Sequence, residues 1–276
     1  MSSINCRGKL LDLAQPQVMG ILNVTPDSFY DRSRISSEAD LYEKVQTMLD
    51  QGADMIDLGG YSTRPNAGFV TQDEEIDRVV PTVKFLMANF TDLIISVDTF
   101  RSDVAARSID AGASIINDIS AGSLDGQMLN TIAKFQVPYI MMHMLGDFAT
   151  MHQKHDYENI IKEMLLFFAE RIQLARQLGI NDLILDPGFG FSKSLDDNFQ
   201  VLNQLADLSM TDLPILVGVS RKSMICRTLD VNPAEALNGT SVINTLALTK
   251  GAKILRVHDV REAKQCVALY QKMIGQ

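Results

Sequence analysis

Three cysteines in 276 residues, Cys6, Cys226 and Cys266, are too few and too scattered for a disulfide framework or a zinc site. They read as reduced thiols, and a cytoplasmic protein is the expectation. No apolar run approaches the ~18–20 residues of a membrane span. The first eleven residues carry Arg7 and Lys9 and lack the apolar core of a secretory signal. Positive charge is not in excess either. The formal net charge of −9 argues against nucleic acid or an anionic membrane as a partner, while leaving room for a locally cationic pocket that takes a small anion. Low-complexity linkers and short fixed-period repeats are also missing, which removes a solenoid and offers no composition break at which to divide the chain.

What is present is ordinary soluble-protein chemistry in an unusual order. Hydrophobic residues make up 46% and charged residues 21%, enough for a sizeable core. Short apolar runs with the character of strands buried on both faces fall at 18–22, 55–58, 93–97, 115–116, 139–142, 183–185, 215–219 and 253–257. Between them lie stretches of helical spacing at 37–51, 71–90, up to 111, 125–135, 157–178, 195–208 and 234–249, and a last one runs to the C-terminus. Eight strands alternating with eight helices predict a single-domain α/β structure, a (β/α)8 TIM barrel over residues 18–276 with 1–17 as an N-terminal extension packed on it.

In such a barrel the polar residues at the strand C-termini converge on one mouth. Here they are Asn23, Arg64, Asp98, Asn117, His143, Asp186, Lys222, Arg256 and His258. Asp98, Asn117 and Asp186 offer acceptors suited to the N–H edge of a planar heterocycle. Arg64, Lys222, Arg256 and His258 are donors suited to an anion such as phosphate. Asn23 offers an oxygen to Mg²⁺, an ion that takes few protein ligands beside substrate phosphates. Simpler roles stand beside these. Asp98 has the residue type and position of a helix N-cap. Asp186-Pro187-Gly188 has the residues of a turn, although Phe189 and Phe191 place aromatic surface beside it. His143, among methionines, reads as a packed histidine, and His152 and His155 as surface residues. Arg256 lies inside an apolar strand and needs an anionic partner, from the protein or from a ligand.

The segments Asn23-Val24-Thr25-Pro26-Asp27-Ser28-Phe29, Ser62-Thr63-Arg64-Pro65, Val97-Asp98-Thr99, Ile116-Asn117-Asp118, Asp186-Pro187-Gly188-Phe189-Gly190, Ser220-Arg221-Lys222-Ser223 and Arg256-Val257-His258-Asp259 together resemble dihydropteroate synthase, in family order and spacing from about residue 18 to the C-terminus. The resemblance implies condensation of 6-hydroxymethyl-7,8-dihydropterin diphosphate with p-aminobenzoate, with ionisation of the C–O bond before attack by the arylamine. It implies pterin contacts from Asp98, Asn117, Asp186 and Lys222. Diphosphate contacts would come from Thr63, Arg64, Arg256 and His258, and Mg²⁺ would be met at Asn23. An arylamine subsite of Pro65, Phe191, Lys222 and Ser223 would be roofed by mobile loops, the first containing Asp31. Homodimerisation through the later helices and sulfonamide binding are implied as well.

The chain departs from the family pattern at Tyr30-Asp31-Arg32-Ser33, where glycines are usual, at Tyr61, and at Met144-Leu145-Gly146. None of these removes a pterin or diphosphate group, so the expected consequence is for rate and inhibitor sensitivity. Three other activities have weaker support. A pterin-dependent methyltransferase would not need Arg64, Arg256 and His258. A Schiff-base aldolase would use Lys222. A non-catalytic pterin-binding paralogue would bind without turnover.

Overall fold

A computed structural model describes residues 3–24, 37–61, 69–146, 150 and 155–275. Two strands, β1 (Ser3–Cys6) and β2 (Lys9–Asp12), form an antiparallel hairpin. The barrel follows: β3 (Gln17–Asn23), α1 (Glu38–Asp50), β4 (Met55–Gly59), α2 (Gln72–Asn89), β5 (Ile95–Asp98), α3 (Ser102–Ala111) and β6 (Ile115–Asp118). Next come α4 (Met128–Phe135), β7 (Tyr139–Met142), α5 (Ile160–Gln177), β8 (Leu183–Asp186) and α6 (Leu195–Asn203). The last elements are β9 (Leu216–Val217), α7 (Ser223–Leu229), α8 (Leu237–Thr249), β10 (Ile254–Val257) and α9 (Val260–Met273).

All neighbours in the larger sheet pair in parallel, in the order β8-β7-β6-β5-β4-β3-β10-β9. A parallel bridge between Leu185 and Ile215, with Leu185 N–H donating to Pro214 C=O at 2.9 Å, joins the two ends. The (β/α)8 barrel is therefore as the strand count predicts. Two helical details differ. The 195–208 helix breaks after Asn203 and continues as a 3₁₀ segment, Leu205–Thr211. The turn after β9 contains the short helix α7, too brief to register as a periodic stretch. None of the described helices is long and apolar enough to cross a membrane.

Period two along each strand sorts the side chains. Ile56 and Leu58, Ile95 and Val97, Leu183 and Leu185, and Leu255 and Val257 belong to the cluster shared with the surrounding helices. Met19, Met55, Ile115, Ile140, Ile184, Leu216 and Ile254 form a separate cluster with Ile4, Cys6 and Leu13 from the hairpin and its exit. The hairpin thus plugs the end of the barrel where strands begin. Its polar groups tie to the same end: Arg7 donates to the Ile109 and Ala113 carbonyls, and Lys9 Nζ to Asp92 C=O at 3.0 Å. One or two inward positions further along the strands, β7 with Met142 and Met144 excepted, the apolar floor gives way to polar residues.

Candidate functional site

Inward parity places Asp57, Asp98, Asn117, Asp186 and Arg256 above that floor, on β4, β5, β6, β8 and β10. Arg256 is the hub. Its Nε donates to Asp57 Oδ2 at 2.6 Å and its Nη2 to Asp98 Oδ2 at 2.8 Å. Asn117 Nδ2 donates to the same Asp57 oxygen at 3.2 Å, and Asp57 Oδ1 is buried without a hydrogen-bond partner. The anionic partner that Arg256 requires is thus a pair of protein carboxylates. Asp98 does not cap α3, whose N-cap is Arg101. Burial pushes the Asp98 carboxyl up to about 7 against the opposing pull of Arg256.

Asp186 ends β8, and its Oδ1 accepts the Gly188 N–H at 2.7 Å. Burial raises its pKa, with Lys222 acting against the rise. Lys222 follows β9, donates from Nζ to the Phe189 carbonyl at 2.5 Å, and lies 4.9 Å from the centroid of the Phe191 ring. Burial lowers its pKa to about 8, with Asp186 opposing. Phe191 packs with Ile119, Met142 and Met144, backed by Phe100 and Leu124, into an apolar cluster beside these polar groups. A flat, largely apolar ring with a polar edge matches such a wall and its neighbouring acceptors.

At the end of β10, exposed His258 shares a 3.0 Å contact between its Nδ1 and Ser220 Oγ, and its backbone N–H donates to that hydroxyl at 3.2 Å. Asn23 ends β3. A Cβ on neighbouring Gly59 would come within 3.2 Å of Asn23 Oδ1, so the glycine leaves that oxygen its space beside Asp98. Among the described residues no three His, Cys, Asp or Glu side chains cluster as metal ligands. Asn23 Oδ1 is a neutral oxygen of the kind Mg²⁺ accepts beside substrate phosphates. Ser223 opens α7 and is exposed. Asp31, Thr63, Arg64 and Pro65 lie outside the described residues, as do Tyr30, Arg32, Ser33 and His152.

Several neighbours have structural duties. Arg221 binds Asp259 through both Nε and Nη2, at 2.9 and 2.7 Å, and donates to the Pro233 and Ala234 carbonyls. Asp118 accepts from Ser120, Gly122 and the Tyr139 hydroxyl on the helix side of the sheet. His143 is a packed histidine. Its ring lies 5.0 Å from Phe167, and burial together with nearby Lys193 drives its pKa down to about 2. His155, expected at the surface, is half-buried, its ring centroid 6.4 Å from that of Tyr157, which covers part of it. Tyr61 is buried beneath the Arg101 guanidinium, 5.3 Å from its ring centroid, and the Leu145 N–H donates to Ser192 Oγ at 3.0 Å.

Two residues escaped sequence reasoning. Asp57 sits mid-strand in Met55-Ile56-Asp57-Leu58, and an isolated carboxylate in an apolar run was the available signal. Lys193 is almost wholly buried, and its partners are mostly backbone carbonyls, which leave no mark in a sequence.

Residues 19–258 match the family described as pterin binding enzyme. The dihydropteroate synthase of Escherichia coli strain K12 is 43% identical over 271 residues, covering 98% of this chain and 95% of that one. The fold superposes on Yersinia pestis dihydropteroate synthase, solved as a sulfonamide drug complex, with TM-score 0.94, 42% identity and coverage of 99% and 100%. It superposes on the Xanthomonas albilineans enzyme, solved with 4-aminobenzoic acid, with TM-score 0.91, 38% identity and coverage of 100% and 99%.

Proposed function

The chain belongs to the pterin-binding enzyme family and within it to the dihydropteroate synthases, and on that premise we propose how its barrel mouth works. The enzyme is a transferase of folate biosynthesis. It joins 6-hydroxymethyl-7,8-dihydropterin diphosphate to p-aminobenzoate, giving 7,8-dihydropteroate and diphosphate. The observation that carries the reading is the convergence of Asp98, Asn117, Asp186, Lys222 and Arg256 from five strands on one mouth, beside an apolar wall.

The pterin ring lies along Ile119, Met142, Met144 and Phe191, with its N–H edge toward Asp98, Asn117 and Asp186. Lys222 donates to the ring carbonyl and ring nitrogen, exchanging its Phe189 contact for the ligand. Arg256 and His258 face the diphosphate, and the family pattern assigns Thr63 and Arg64 to it as well. Asp57 keeps Arg256 charged and oriented when Asp98 turns to the pterin.

The methylene C–O bond then breaks, and its electron pair leaves with the diphosphate. The resulting cation is delocalised over the pterin. The arylamine nitrogen, in a subsite of Pro65, Phe191, Lys222 and Ser223, forms the C–N bond and loses a proton. Fixed positive charge at the leaving group is the main catalytic contribution, and no protein nucleophile is required. Mg²⁺, held by Asn23 and substrate oxygens, would supply further neutralisation of the leaving group.

A homodimer is supported by an apolar face on adjacent α8 and α9, where Val242 and Leu246, and Leu269 and Met273, are exposed one helical turn apart. A cytoplasmic location is in keeping with three unpaired cysteines. The test is chromatographic detection of 7,8-dihydropteroate from the two substrates, inhibited by a sulfonamide in competition with p-aminobenzoate. Absence of product from folded protein would overturn the reading.

A further inference from the structure

We propose that Lys193 is a positioning residue for the pterin pocket. Its ammonium gathers the His143, Gly188 and Phe191 carbonyls and the His143 ring into one buried knot, which sets Asp186 and the support of Lys222. The inference rests on the pterin roles given above to Asp186 and Lys222.

The chain from Asp186 to Ser194 reverses on three left-handed residues, Gly188, Gly190 and Ser192, with φ of 70°, 83° and 48°. Gly188 admits no side chain, since a Cβ would stand 2.1 Å from the His143 carbonyl oxygen. Such a turn directs carbonyls inward, where each needs a donor. Lys193 Nζ supplies it. It lies 3.2 Å from His143 O, 3.1 Å from Gly188 O, 3.1 Å from Phe191 O and 3.1 Å from His143 Nδ1. Burial lowers its pKa to about 7, with Asp186 opposing, and in the charged form three protons shared among four acceptors leave none of its hydrogens idle. With Lys193 donating to Nδ1, the neutral imidazole carries its proton on Nε2.

The knot reaches the site through two peptides. Gly188 is held at its carbonyl by Lys193 and gives its N–H to Asp186 Oδ1 at 2.7 Å, so the glycine links the buried ammonium to the carboxylate. Phe189, one residue on, offers its carbonyl to Lys222 at 2.5 Å, and Phe191 lays its ring beneath that lysine. The far side of the turn is pinned by Asn198, whose Oδ1 accepts the Gly190 N–H at 2.7 Å, and by the Ser194 cap of α6. A lysine that only filled space would not need its charge buried among carbonyls. One that holds two ligand-facing side chains does.

The test compares wild type with Lys193→Met and Lys193→Gln by calorimetric binding of 6-hydroxymethyl-7,8-dihydropterin, lacking diphosphate, and separately of inorganic diphosphate with Mg²⁺. The diphosphate probe addresses Arg256 and His258, which Lys193 does not touch. The expected result for Lys193→Met is pterin affinity weakened on the order of 10- to 100-fold, as for loss of about one charge-assisted hydrogen bond to the ligand, with diphosphate affinity unchanged. Lys193→Gln, with two donors left, shows the same split to a smaller degree. Unchanged pterin affinity in both variants overturns the proposal even if they melt earlier, and so does equal loss of both ligands. Failure of both variants to fold also overturns it, making Lys193 a residue of the fold alone. If wild type binds no dihydropterin, the functional reading falls and the proposal with it; if wild type binds and the variants match it, only the proposal falls.

Discussion

Arg256 Nε and Asp57 Oδ2 meet at 2.6 Å at the centre of the barrel, between a strand-10 guanidinium and a strand-4 carboxylate 199 residues apart. Asp57 is fully buried, whereas the Arg256 side chain is 18% exposed toward the mouth. Removing the carboxylate would leave the guanidinium with Asp98 as its one charged partner and one proton of Asn117 without its acceptor. Asp57→Ala should therefore lower stability by about 3–5 kcal/mol, the range for breaking a buried pair, measured by urea denaturation. Asp57→Asn should retain most of that stability, since its amide oxygen still accepts from Arg256, but lower kcat/KM for the pterin diphosphate, because Asp98 is then the one charged partner of Arg256.

The pH dependence follows from two groups shifted toward each other. Asp98 accepts from the pterin only when ionised, which in the free enzyme means above about 7. Lys222 donates best when charged, which means below about 8. The profile of kcat/KM against pH should be a narrow bell, falling on the acid side as Asp98 takes a proton and on the alkaline side as Lys222, and the Lys193 behind it at about 7, lose theirs. Pterin N–H groups favour the ionised carboxylate, so pterin binding near pH 7 should release a proton. Calorimetry in buffers of different ionisation enthalpy reads this directly, and Asp98→Asn should abolish the release.

Much of this was legible beforehand, for a physical reason. Strands buried on both faces are continuous apolar runs, and a closed barrel sends the polar residue at each run's end to one place. Asp98, Asn117, Asp186 and Arg256 could therefore be gathered without coordinates. Asp57 could not, because its role depends on which parity faces inward and on a guanidinium from β10. Lys193 was hidden for another reason: its partners are backbone atoms that only the left-handed turn brings together. The anion demanded by Arg256 was foreseen, but its identity as two protein carboxylates needed the structure.

His258 and the pterin groups should separate kinetically. If His258 meets the diphosphate as proposed, His258→Ala should raise KM for the pterin diphosphate while leaving the affinity for 6-hydroxymethyl-7,8-dihydropterin unchanged. Parallel steady-state and calorimetric measurements check this. Loss of both affinities would place the histidine with the pterin instead.

The hairpin plug should affect stability without affecting catalysis. Ile4 is fully buried among inward residues at the opposite end from the mouth. Ile4→Ala should cost about 2–5 kcal/mol, as for other large-to-small changes in a packed core. Thermal and urea melts measure the loss, and both KM values should stay at wild type.

The central claim is that this mouth ionises a pterin diphosphate and passes the cation to an arylamine. It is tested most directly by diphosphate release from 6-hydroxymethyl-7,8-dihydropterin diphosphate, with and without Mg²⁺ and with and without p-aminobenzoate. The account predicts Mg²⁺-dependent release, matched mole for mole by 7,8-dihydropteroate when the arylamine is present. Tight pterin binding with no release under any of these conditions would contradict it.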